Sequence, residues 1–148
     1  MTLPIYQVDA FTNKVFGGNP AAVMPLEQWL PDNLMLSLAA ENNLSETAFF
    51  VPLPAGEDAD FHIRWFTPGT EVPLCGHATL ASAWVIFNKL GWDKAQIRLL
   101  SKSGPLSVRQ ADDGWLVLDF PNLGFEERPT PALIREALER APENAFFV

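Results

Sequence analysis

The 148 residues are 48% apolar and 11% aromatic, enough to bury a core of ordinary domain size, which excludes an intrinsically disordered chain. Ten basic residues against eighteen acidic ones leave a net charge of -8, which repels phosphate backbones and excludes nucleic acid as a partner. The N-terminus "MTLPIYQVDAF" lacks a basic segment followed by a long apolar run, and no apolar stretch approaches the ~20 residues that span a bilayer. With a lone cysteine, Cys75, unable to form an internal disulfide, the expectation is a cytoplasmic protein that engages no membrane.

Along the chain, "PIYQVDAF" alternates as a strand and turns through "GGNP" into a second short strand, "AAVMP". Pro31 suits a first helical position, and the pattern predicts a helix over about 31 to 42 that two asparagines stop. "LSETAFFV" and the alternating "FHIRWF" read as an antiparallel pair across the polar loop "PAGEDAD". "TPGTEVPLCG" is a Pro- and Gly-rich loop leading into the helical segment "HATLASAWVIFNKLG", which Gly91 closes.

From Ala78 to Phe87 this second helix carries no charge on any face, which predicts burial all round. It is only ~20 Å long at ~1.5 Å per residue, so its natural surroundings are a curled sheet wrapped about it. Strands "QIRLLS", "LSVRQA" and "WLVLDF" follow across hairpin-type turns, and Pro131 opens an amphipathic helix to about Arg140. The fold class expected is α+β, a mostly antiparallel, barrel-like sheet curled around a buried central helix. The closing "NAFFV" reads as the start of a further element, so the chain is read as residues 1 to 120, one domain, and 121 to 148, a linker, a helix and the beginning of a missing second half.

Chemistry concentrates at two places. Glu46 precedes a strand whose Ala48, Phe49, Phe50 and Val51 are apolar on both faces; a carboxylate drawn partly into such surroundings has its charged form disfavoured and can take and return a proton. The bland alternative is a solvated glutamate at the sheet rim. The loop "VPLCGHAT" ends at a helix N-terminus, where the amides of Gly76, His77 and Ala78 and the helix dipole offer an anion site suited to a substrate carboxylate. Gly76 would let a ligand approach the backbone, and His77 could donate a hydrogen bond or assist proton transfer; otherwise they are a turn glycine and a helix-capping histidine. Cys75 is either a thiol activated by that helix terminus or a buried structural cysteine. His62, among aromatics, is given no role. No dinucleotide or phosphate-loop glycine pattern is present, and the two histidines lie fifteen positions apart without carboxylates at ligand spacing, so no cofactor or metal is expected.

The segments "VDAFTNKVFGGNPAAV", "ENNLSETAFF", "RWFTPGTEVPLCGHATLASA" and "SKSGPLSV", in this order, resemble the amino-terminal half of the phenazine-biosynthesis isomerase-like (PhzF-like) family over roughly residues 3 to 120. The resemblance implies one half of a diaminopimelate epimerase-like fold, in which two similar domains flank an active-site cleft. It implies a cofactor-independent isomerase in which Glu46 moves a proton between carbons of a small carboxylated substrate. It also implies that Gly76 and His77 line the pocket, with Asn19 of the "GNP" turn as a cleft residue and Cys75 as a pocket residue. The alternatives are an epimerase or racemase using Cys75, or a binding module that keeps the fold without turnover. Family members are nearly twice as long, which implies either an amino-terminal fragment or a half-length chain that forms a homodimer or pairs with a second half-domain.

Overall fold

The computed structural model describes residues 2 to 147 apart from 123, 139, 141 and 143. Strands β1 (Tyr6–Ala10) and β2 (Asn19–Pro25) form the expected antiparallel pair. The turn between them depends on Gly18, whose φ of +73° is unfavourable for side-chain-bearing residues and whose missing Cβ would lie 2.0 Å from the Ala10 carbonyl oxygen. Helix α1 (Asp32–Asn42) starts one residue later than the sequence suggests, because Pro31 stays in an extended conformation at the cap. Asn43, with φ 51° and ψ 35°, ends the helix in the left-handed conformation that asparagine tolerates.

Strand β3 (Thr47–Pro52) runs parallel to β2 and antiparallel to β4 (Phe61–Phe66). Glu71–Val72, expected to be loop, forms a two-residue strand, β5, on the far part of β4. Helix α2 (Gly76–Lys89) follows, then β6 (Gln96–Ser101), β7 (Gly104–Gln110) and β8 (Leu116–Asp119). The sheet order is β1-β2-β3-β4-β6-β7-β8, with β5 beside β4; pairing is antiparallel except for β2 with β3 and β4 with β6. The mixed, mostly antiparallel sheet curls around α2.

Two apolar clusters explain why β3 is apolar on both faces. Ala48 and Phe50 join Val23, Ile63, Trp65, Val85, Ile86, Ile97 and Leu99 against α2. Phe49 and Val51 join Met24, Leu26, Met35, Ala39 and Phe66 against α1. A strand covered on both sides loses the polar alternation of a half-exposed strand. Its neighbour β6 keeps it, with Ile97, Leu99 and Ser101 buried and the residues between them exposed.

The expectation that α2 is buried all round is corrected. Trp84 is 39% exposed, and the sheet does not close: β1 and β8 end it with no strand partner between them among the described residues. A cavity of about 390 Å³ occupies the gap, lined by Val8, Ala10, Leu80, Trp84, Trp115 and Leu116 among others. An uncharged face tells of apolar surroundings, and here part of those surroundings is an open slot.

Beyond β8, Glu126–Glu127 (β9) pairs with Phe146–Phe147 (β10), and a short helix α3 (Ala132–Ala137) has no buried residue. The expected extension of α3 to about Arg140 falls partly on position 139, outside the described residues. Among the described residues, no helix is long and apolar enough to cross a membrane.

Candidate functional site

Glu46 is fixed by its position at the mouth of β3. Its carbonyl accepts the Ala22 N–H at 3.3 Å, extending the β2–β3 ladder by one residue, and the neighbouring Thr47 hydroxyl accepts from the Asn42 side chain at 3.1 Å. The backbone is pinned, while the carboxylate keeps an exposed edge, with 21% of the side-chain surface accessible.

The second wall is the loop into α2. Arg64 on β4 donates two 2.8 Å hydrogen bonds to the two carboxylate oxygens of Glu71, a bidentate pairing that clamps β5 to the sheet. Arg64 also bonds Asp32 of α1 at 2.9 Å and lies over the rings of Trp29 and Phe66. Lys102 bonds the outer oxygen of Glu71, and the Ser103 hydroxyl donates to the Pro73 carbonyl at 3.0 Å. Thus held, the loop delivers Cys75 in extended conformation to the cap of α2, with His77 in the first turn.

Glu46, Cys75 and His77 converge. His77 Nε2 lies 3.5 Å from Glu46 Oε2 and 3.5 Å from the Ser45 hydroxyl, while His77 Nδ1 lies 3.4 Å from Cys75 Sγ. One donor atom from each of Glu46, Cys75 and His77 falls within 4.8 Å of the others. Cys75 and His77 are both buried, each 8% exposed. His62, left without a role, packs edge-on against Trp29 with ring centroids 5.1 Å apart.

The first turn of α2 bears on three of the readings above. Cys75 makes no side-chain hydrogen bond at the cap of α2, so its sulfur does not take up the first-turn amides foreseen as an anion site. Gly76 is not kept bare for a ligand: a Cβ there would sit 2.6 Å from Phe120 Cζ, so an aromatic ring takes the space. Cys75 is not an activated thiol. Burial, reinforced by the Glu46 charge, pushes it up to about 11, so it is protonated at neutral pH.

Asn19 is placed by register. Ala22 of β2 pairs with Thr47 of the parallel β3, so Asn19 and Glu46 lie at the same end of the sheet. Among the described residues the Asn19 side chain makes no hydrogen bond to Glu46, Cys75 or His77. Ser45 and Phe120 are the site neighbours that sequence reasoning missed. Ser45 stood beside Glu46 in "NLSETAFF"; for Phe120 no local signal links the end of β8 to residue 76.

A family model described as phenazine biosynthesis-like protein matches residues 8–133. The chain belongs to the phenazine biosynthesis-like family. An uncharacterized isomerase of Pseudomonas aeruginosa is 52% identical over 138 residues, covering 93% of this chain and 51% of that protein. The human phenazine biosynthesis-like domain-containing protein is 49% identical over 125 residues, covering 82% of this chain and 43% of its own length. The crystal structure of an Enterococcus faecalis PhzF-family protein superimposes with a TM-score of 0.85 at 44% identity, covering 100% of this chain and 55% of that one. A hydroxyproline epimerase of Agrobacterium vitis, at 10% identity and TM-score 0.55, covering 78% of this chain and 40% of that one, shares the fold alone. The chain spans about half the length of the curated relatives it matches.

Proposed function

We propose that the protein acts as a cofactor-independent isomerase, in which Glu46 removes a proton from one carbon of a small carboxylated substrate and returns it to another. The observation that carries the reading is the partly buried Glu46 carboxylate, 21% of its side-chain surface accessible, with the His77 imidazole 3.5 Å away, both on elements fixed from behind. A general base needs an open edge toward substrate and a partner that keeps its geometry, and this arrangement provides both. The relatives named as isomerases support the same reaction class. The positive end of the α2 dipole, with the Gly76 N–H, orients the substrate carboxylate.

An epimerase using Cys75 as its base is the weaker reading, because a thiol held near 11 carries almost no thiolate at neutral pH. Since the Glu46 side chain keeps an accessible edge and relatives are about twice as long, the opposite wall of the cleft is assigned to a second unit, either a further half-domain or another copy of the chain.

The test is proton exchange at carbon. In D₂O, with a panel of small carboxylic acids, the protein at the length of its relatives incorporates deuterium, and Glu46→Gln lowers the rate by ~10²–10⁴-fold, the range for a lost acid–base group. Incorporation that Glu46→Gln leaves intact would defeat the proposal.

A further inference from the structure

The contacts of His77 run through its ring rather than around one point. Cys75 Sγ lies 3.4 Å from Nδ1, and on the far edge Nε2 lies 3.5 Å from Glu46 Oε2 and 3.5 Å from the Ser45 hydroxyl. A neutral imidazole carries its proton on one of these nitrogens, and the partner of the other nitrogen decides which. We infer that Cys75 donates its S–H to His77 Nδ1 and holds the ring as the Nε2–H tautomer, with that proton facing Glu46; Cys75 is thus a positioning residue of the proposed proton-transfer site.

The chemistry on the two edges of the ring selects this arrangement. With the proton on Nδ1, the bare Nε2 lone pair would face a carboxylate oxygen, and the thiol hydrogen would have no acceptor on the ring. With the proton on Nε2, the N–H faces the carboxylate in a charge-assisted contact and Nδ1 accepts the thiol hydrogen, so each group meets its complement. The Ser45 hydroxyl both donates and accepts, so it fits either form and does not choose between them. The thiol has a hydrogen to give because burial and the Glu46 charge keep it protonated at neutral pH. Cys75 and His77, each 8% exposed, are shielded from water that would compete for the contact, and the extended Cys75 backbone before the first turn of α2 sets the sulfur against the ring.

The sulfur keeps its proton throughout, so this role needs no thiolate. Its effect on turnover rests on the reading of Glu46 given above, although the contact itself does not. A ring pinned at Nδ1 presents its N–H to the Glu46 carboxylate in one orientation, which keeps the general base aimed. Without the thiol, Nδ1 is a buried acceptor with no donor, and the ring is free to carry its proton on either edge.

The chain has a single cysteine, so its infrared S–H stretch, which falls where other protein groups do not absorb, reports on this contact alone. In the 148-residue protein at neutral pH the band is expected at lower frequency than that of a peptide thiol. His77→Ala and His77→Leu, checked for folding by circular dichroism, return it toward the peptide position, and Glu46→Gln leaves it low. No S–H band, a band at the peptide position in the wild type, or a band that loss of His77 leaves in place would each overturn the inference. In the protein at the length of its relatives, deuterium exchange at carbon falls about tenfold in Cys75→Ala, the scale of one lost hydrogen bond, and recovers to within about threefold of wild type in Cys75→Ser, which keeps a donor. Equal rates in Cys75→Ser and Cys75→Ala would overturn the positioning role and leave the thiol contact standing. Absence of exchange in the wild type would instead count against the role of Glu46, with the infrared band still deciding the contact.

Discussion

Replacing Glu71 by Gln probes the clamp that presents Cys75 and His77. Glu71 accepts both branches of the Arg64 guanidinium, and each side chain of the pair is 14% exposed. The Arg64 hydrogen bonds, with Lys102 adding to them, hold the Glu71 carboxyl down at about 2, against an ordinary 4.5. At ~1.4 kcal/mol for each tenfold change in proton affinity, that gap sets a ceiling of about 3.5 kcal/mol on the charge-dependent stabilisation. Solvent at the Lys102 side screens part of it, and in the variant Arg64 keeps Asp32 and the two rings, so the expected loss at pH 7 is about 1.5–2 kcal/mol. The sign follows from the lowered value. The contribution is complete above about 4.5, falls as pH drops, and is gone near 2, where wild-type Glu71 is itself neutral. Urea unfolding followed by tryptophan fluorescence at pH 7, 5, 4 and 3 reads this directly. A wild-type to variant difference that shrinks steadily below pH 4.5 supports the clamp. A difference equally large at pH 7 and pH 3, or below about 0.5 kcal/mol at pH 7, would refute the reasoning.

Further outcomes follow from the site. Cys75, with its thiol near 11, alkylates with iodoacetamide at pH 7.5 at least ~10²-fold more slowly than a peptide cysteine, and the rate keeps rising past pH 9; peptide-like labelling by mass spectrometry would contradict its buried, protonated state. Gly76→Ala forces the Phe120 ring aside and costs about 1 kcal/mol in chemical denaturation, whereas in a Phe120→Ala background the same change costs nothing, a coupling that a double-mutant cycle measures. Phe50→Ala, at a fully buried position facing α2, costs about 3–5 kcal/mol by thermal or urea unfolding; a loss under 1 kcal/mol would mean that the sheet does not close over that face.

How far the sequence foretells this structure depends on the range of each interaction. Local rules served well: the alternation of "FHIRWF" and "QIRLLS", the turn residues of "SKSGP" and "DDG", and the asparagines ending α1 are encoded within a few positions. The uncharged stretch Ala78–Phe87 correctly pointed to a helix inside a curled sheet, but composition reports apolar surroundings and cannot say that β1 and β8 stop short of each other. At the site, Glu46 and the 75–77 turn were legible as separate points, and the fold brings them together. The Phe120 ring over Gly76 and the Arg64–Glu71 clamp are set by pairings between distant strands, and no spacing in the chain announces them.

The incomplete closure of the sheet gives the molecule its own isotope label. Amides of β3 and β4 are hydrogen-bonded inside a doubly covered layer, whereas the outer sides of β1 and β8 have no strand neighbour among the described residues. Exchange with deuterated water is therefore slow in the middle of the layer and fast along the two rims. A partner segment that docks edge to edge along either rim slows just that rim, so a single exchange map reveals whether the seam is filled and from which side.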